Sequence, residues 1–232
     1  YTLAQCTKVE RDRMFVVLFL TGVSVVFWTF FEQAGSSMTL FTERNVDKNV
    51  LGVSMQASQM GFMNPWFIIL FAPLFSWVWE VLARRGIEPS TPMKFGLGVL
   101  QVGLGFGALV YGATFADGAG QVAIIWLALA YLLHTTGELC LSPVGLSMVT
   151  KLSVSKVVGL MMGVWFLSSA GASYLAGIIA GLAAVNVVPG SDIDPTASLP
   201  IYIDTFKILA FVGVAIGLVV MAISPRIKRF MH

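Results

Sequence analysis

Apolar residues gather in six long runs along this chain, at roughly 14–40, 62–83, 94–114, 121–148, 157–184 and 201–224. Each run reaches the ~20 residues that an α-helix needs to cross a bilayer. The breaks between them are polar or rich in Pro and Gly: TERNVDKN, ARRGIEPSTP, ATFADGAG, KLSVSK and VPGSDIDPTASLP. The pattern predicts an all-α integral membrane fold of six transmembrane helices. A lead-in covers residues 1–13, the six-helix bundle 14–224 and a tail 225–232.

Composition agrees. Hydrophobic residues make up 57% of the 232 and charged residues 11%, against roughly 25% charged in a soluble domain. A net charge of +2 gives no case for nucleic acid, because the basic residues occupy loops and form no stripe. Cys6 and Cys140 are far apart, so they outline neither a disulfide framework nor a metal site. The opening YTLAQCTKVERDRM lacks a signal-peptide pattern, since its charges precede a run too long for one.

Charge also orients the helices. Lys8, Arg11, Arg13, Arg84, Arg85, Lys94, Lys151, Lys156, Arg226, Lys228 and Arg229 fall on one side of the predicted bundle. The opposite loops carry only Arg44 and Lys48 as bases, and the last two hold Asp117, Asp192 and Asp194. The positive-inside rule places both termini in the cytoplasm of a cell (inner or plasma) membrane. Small-residue pairs in GLGFG (103–107), GLMMG (159–163), GIIAG (177–181) and GVAIG (213–217) are expected at helix–helix contacts.

Five ionisable residues lie within or beside the runs in ways that matter. Glu80 is one turn from Arg84, and Asp204 is three residues from Lys207; local pairs or interfacial anchors explain these. Glu32 and Glu138 differ, because apart from His134 each is surrounded by a long stretch without another ionisable group. Hydrocarbon cannot solvate such a charge, so each must face a wet cavity or a partner, and a functional role is the expectation.

Helix 1 and helix 4 run in opposite directions, and each acid lies deep in its run. Two inverted three-helix repeats with a site between them would place the acids equivalently, as in many secondary transporters. On helix 4, His134 and Ser142 flank Glu138 at helical spacing, while on helix 1 Trp28 and Ser36 flank Glu32. Pro143 removes a backbone donor and permits a kink there. Such surfaces offer a carboxylate for an ammonium, hydroxyls for amides and indole for side chains.

At these residues the chain resembles the proton-dependent oligopeptide transporters, a branch of the major facilitator superfamily. FWTFFEQAGSSM (27–38) is similar to that family's seventh helix and NPWFIILFAPLFSWVW (64–79) to its eighth. GELCLSPVGLSMVTKL (137–152) resembles the tenth, and MMGVWFLSSAGASYLAG (161–177) the eleventh. The resemblance spans nearly the whole chain but only the C-terminal half of a twelve-helix transporter. It implies that Glu138 holds a peptide's α-ammonium, with Asn64 and Ser142 as polar contacts. It implies further that Trp28, Trp165, Phe166 and Ser169 line side-chain pockets, and that Glu32 takes part in proton coupling. The implied partners are di- and tripeptides, protons, the lipid bilayer and an N-terminal six-helix half. No cofactor is implied beyond the proton as coupling ion.

Other readings are narrower. A relative carrying another small solute shares the fold, although a carboxylate at 138 suits an ammonium and repels an anion. An intramembrane metalloenzyme would use His134 and Glu138, but a catalytic metal normally needs a third protein ligand, and the remaining histidine, His232, is at the tail. A stand-alone six-helix channel or scaffold is the third reading. Tyr1 follows no initiator Met, which makes a piece of a longer protein the expectation.

Overall fold

The computed structural model describes residues 6–50, 52–182 and 194–231. Tyr1, Asp192, His232 and the last two residues of the fifth apolar run lie outside the described residues. In chain order the helices are α1 (Lys8–Phe31), α2 (Ser37–Asn45), α3 (Met63–Arg84), α4 (Thr91–Ala113), α5 (Ile124–Leu152), α6 (Val158–Leu182) and α7 (Pro195–Lys228). Among the described residues six helical stretches are long and apolar enough to cross a membrane, the first of them built from α1 and α2 together.

Helix ends depart from the ends of the apolar runs because caps, not hydropathy, set them. α1 starts at Lys8, inside the expected lead-in. Thr7 and Glu10 form a capping box there: the Glu10 N–H donates to Thr7 Oγ1 at 3.3 Å, and the Thr7 N–H donates to Glu10 Oε2 at 2.8 Å. α7 likewise starts well before residue 201, where Asp194 accepts the Thr196 N–H at 2.8 Å and Pro195 takes the first helical position. Hydrogen bonding from the Thr196 side chain and backbone holds the Asp194 carboxyl below the ordinary aspartate value. α7 runs on to Lys228, into the expected tail.

The first run is not one continuous helix. α1 ends at Phe31, a 3-10 turn covers Glu32–Gly35, and Ser36 (φ −131°, ψ −98°) redirects the chain into α2. Gln33, fully buried, holds this break together. Its Nε2 donates to the carbonyls of Thr29 (3.2 Å) and of Ala176 on α6 (3.1 Å), while its Oε1 accepts from Ser37 Oγ at 2.7 Å. Three bonds from one amide fasten the end of α1, the start of α2 and the C-terminal part of α6.

α4 is the centre of the bundle, with α5 on one side and α7 on the other. It approaches both through glycine. A Cβ on Gly98 would stand 2.9 Å from the carbonyl oxygen of Gly137 on α5, and one on Gly213 of α7 would stand 2.7 Å from Gly103 Cα. No side chain fits at either crossing, so backbones touch and dispersion replaces the hydrophobic drive that lipid cannot supply. Of the glycines expected at contacts, Gly103, Gly213 and Gly217 serve there, whereas Gly107, Gly159, Gly163, Gly177 and Gly181 face open space. α3 rests on α5 with no buried residue of its own, and α6 lies along α1.

Both ends of the bundle are stitched by polar side chains. At one end buried Asn45 donates to the carbonyls of Gly120 (3.1 Å) and Pro195 (2.7 Å) and accepts from Ser198 Oγ (2.9 Å). Arg44 donates to the Tyr202 hydroxyl at 2.5 Å, and Val46–Asp47 pairs in parallel with Val122–Ala123. At the other end buried Lys94 pairs with Glu88 at 2.5 Å and lies 4.4 Å from the centre of the Trp79 ring.

The close α4–α7 crossing is testable. Gly103→Ala should destabilise the purified protein by about 1–3 kcal/mol through overpacking. Gly107→Ala, one turn on in open space, should be neutral or stabilising by up to about 1 kcal/mol. Thermal unfolding in detergent separates the two, and equal behaviour would show that backbone contact at Gly103 does not hold the bundle.

Candidate functional site

Glu138 stands near the middle of the 29-residue α5. Asn64, in the first turn of α3, donates from Nδ2 to Glu138 Oε2 at 3.0 Å and sits 3.1 Å from Thr135 Oγ1. Thr135 in turn donates to the Tyr131 carbonyl one turn up its own helix, at 2.7 Å. The result is a polar cluster of Glu138, Asn64 and Thr135 across the α3–α5 seam. Glu138 is half-buried, with one carboxylate oxygen committed to Asn64 and the carboxylate still partly open. Ser142, one turn on, is half-buried on the same helix, and α5 passes through Pro143 without a break.

His134 leaves the expected polar stripe. Its ring is buried against α4, fitted over Gly105 and packed on Phe106 at 4.9 Å between ring centres. Gly105 has no side chain to hold it off, so tertiary packing turns this residue inward while Glu138 stays half-exposed.

Glu32 lies immediately after α1, at the 3-10 break, and is exposed. Ser173 of α6 donates to its Oε1 at 3.4 Å. Glu32 therefore follows the last turn of its helix, while Glu138 sits mid-helix. The two acids thus lie at different distances from their helix starts, because α1 begins ahead of its apolar run and α5 begins within its own. Ser36 bonds back to the Glu32 carbonyl at 3.3 Å, not along an α-helical face.

The aromatic candidates divide. Trp28 is half-buried in an edge-on cluster with Phe27 and Phe31, at 5.3 Å from each. Trp165 is only 8% exposed, wedged over Gly145 of α5 and edge-on to Phe95 of α4. Phe166 and Ser169 are exposed. The ion pairs expected elsewhere form: Arg84 with Glu80 at 2.6 Å and Lys207 with Asp204 at 2.9 Å. Residue-by-residue reading missed Gln33 and Thr135. Each is a polar residue in an apolar run, which is the signal that could have found them.

Comparison with known proteins fits this arrangement. The POT family profile matches residues 3–193. The chain belongs to the POT family. Among its relatives, the peptide transporter YePEPT of Yersinia enterocolitica is 37% identical over 183 residues, covering 78% of this chain and 36% of the relative. Dipeptide and tripeptide permease A of Pectobacterium carotovorum is 34% identical over 220 residues, covering 95% of this chain and 42% of the permease. The crystal structure of peptide transporter POT in complex with sulfate superposes with a TM-score of 0.83 at 32% identity, covering 98% of this chain and 43% of that one. The chain thus spans about two fifths of the length of the relatives it matches. POT family members are transporters, not enzymes. Among the described residues no three His, Cys, Asp or Glu side chains gather as a metal site would require.

Burial separates the roles of the two neighbouring rings on α6. Trp165→Ala should cost about 3–5 kcal/mol by opening a cavity over Gly145, whereas Phe166→Ala should stay within about 0.5 kcal/mol. Unfolding of the two purified variants checks this, and an unaffected Trp165→Ala protein would return that ring to a pocket-lining role alone.

Proposed function

We propose that this segment is the C-terminal six-helix half of a proton-coupled symporter for di- and tripeptides. Its partner is an N-terminal six-helix half, and the two halves rock about a shared midplane site in a cell membrane. Both ends of the segment lie in the cytoplasm, as the bias of basic residues indicates. The observation that carries this reading is the Asn64–Glu138 bond at 3.0 Å beside Thr135, a half-open carboxylate at mid-helix. The family membership and the peptide-transporting relatives support it.

In this reading Glu138 receives the α-ammonium of a peptide, and the Asn64 amide keeps the carboxylate aimed. Ser142 supplies a further polar contact, while Trp28, Trp165, Phe166 and Ser169 bound the space for side chains. Glu32 carries the coupling proton. A carboxylate that alternates between an apolar setting and a nearby cation takes up and releases a proton, and the 3-10 break gives Glu32 a place to move. α3, without a buried residue among those described, presents its free face to the other half.

Glu138→Gln should weaken binding of ordinary di- and tripeptides by about 1.5–3 kcal/mol, the worth of a hydrogen bond to a charged group. Competition binding with free and N-acetylated peptides, on the transporter expressed from its full coding sequence, reads the effect. An equal loss for both peptide types would show that Glu138 does not recognise the ammonium. Glu32→Gln should abolish gradient-driven uptake in proteoliposomes while peptide counterflow persists. Survival of both activities would make Glu32 structural.

A further inference from the structure

The two long seams of the bundle are closed unequally. α4 meets α5 backbone to backbone at Gly98 and Gly137, but α1 and α7 stand apart over a groove of about 510 Å³. Leu18, Gly22 and Val26 line it from α1, and Ile216, Val219 and Ile223 from α7. None of the described lining side chains is polar, and a Cβ on Gly22 would meet nothing within 4 Å. Beyond Val26 the Phe30 ring reaches toward α7, to 3.2 Å from the Cβ position of Gly213. From Leu18 to Val26 is roughly 12 Å of helix, most of the roughly 15 Å hydrocarbon depth of one leaflet.

The open end is basic. Helical spacing puts Lys8, Arg11 and Phe15 on the α1 face that carries Leu18 and Gly22. Arg226 follows Ile223 by three residues on α7, on the face that carries Val219. The helices are antiparallel, so these three cations share one mouth. All three are exposed, and among the described residues none has an ion pair or a side-chain hydrogen bond. Asp12, half-buried at the edge of the same sector, leaves a clear positive excess.

We propose that this groove is a binding site for an anionic glycerophospholipid. One acyl chain fills the space between α1 and α7, and the phosphate is held by Lys8, Arg11 and Arg226. An apolar slot of acyl-chain depth that opens onto unpaired cations at headgroup level matches that ligand in both its parts. A zwitterionic lipid would fill the slot but would bring a second cation to the basic mouth. The site lies on the outer flank of α1, away from the Glu138–Asn64 cluster on the α3–α5 seam. Its lipid would therefore brace the segment that leads to the break at Glu32.

The test uses the protein expressed from its full coding sequence and reconstituted in vesicles of phosphatidylcholine with phosphatidylglycerol. Matched probes of both lipids carry a photoactivatable diazirine in the acyl chain. The phosphatidylglycerol probe should label peptides containing residues 18–26 and 215–223 in preference to the phosphatidylcholine probe, and added salt should reduce the preference. Arg11→Gln with Arg226→Gln should weaken phosphatidylglycerol labelling about 25-fold, at about 1 kcal/mol per charge near the surface. Gly22→Phe should remove labelling by both probes while thermal unfolding stays unchanged. Equal labelling by the two lipids, or labelling indifferent to the arginine pair, overturns the proposal. So does crosslinking of Gly22→Cys to a second copy or to another helix of the same protein, which would show protein in the groove in place of lipid.

Discussion

Backbone contact at glycine is the constraint from which the rest of this bundle follows. Inside a bilayer apolar side chains gain nothing by leaving lipid for protein, so helices hold together only where they fit closely. α4 makes that fit on two sides, with Gly98 against Gly137 of α5 and Gly103 against Gly213 of α7. The three helices form a rigid spine. α1, α3 and α6 are arranged around it by side chains and single polar bonds, and the candidate functional groups sit at those looser seams.

The two membrane acids illustrate how such a frame accommodates charge. A carboxylate in hydrocarbon is costly unless it is hydrogen-bonded or faces water. Glu138 has both kinds of relief, an amide from α3 and an open side, and its helix is anchored by the spine. Glu32 is placed differently, on a break that Gln33 fastens to α6 through the Ala176 carbonyl. One acid belongs to a fixed wall and the other to a joint.

The polar stitching at the two ends limits which seams can move. Asn45 ties the end of α2 to the loop before α5 and to the start of α7, and Lys94 locks the α3–α4 connection through Glu88 and the Trp79 face. Between these fixed ends, α3 and α6 keep most of their surface free. Both contribute candidate site residues. Motion of these helices against the spine would alter the site without unpacking the centre.

Hydropathy by itself determined the six spans, because burial of backbone in lipid permits little except a continuous apolar helix. The unusual acids were visible for the same reason: Glu138 and Glu32 stand out where every polar atom needs a partner, whereas Asn64 entered only through the family resemblance. FWTFFEQAGSSM, NPWFIILFAPLFSWVW, GELCLSPVGLSMVTKL and MMGVWFLSSAGASYLAG carried the family resemblance. Tertiary structure alone decided the rest. Thr7 and Asp194 moved helix starts away from the apolar edges, because a cap satisfies free N–H groups whatever the hydropathy beyond. Half of the small-residue pairs proved idle, since glycine reports that a close approach is possible and not where the neighbour is. His134 and Glu138 lie one helical turn apart, yet one is packed over Gly105 and the other stays half-exposed. Periodicity assigns a residue to a face of its own helix; only the packing of α4 and α3 against α5 decides which part of that face is filled and which stays free to act.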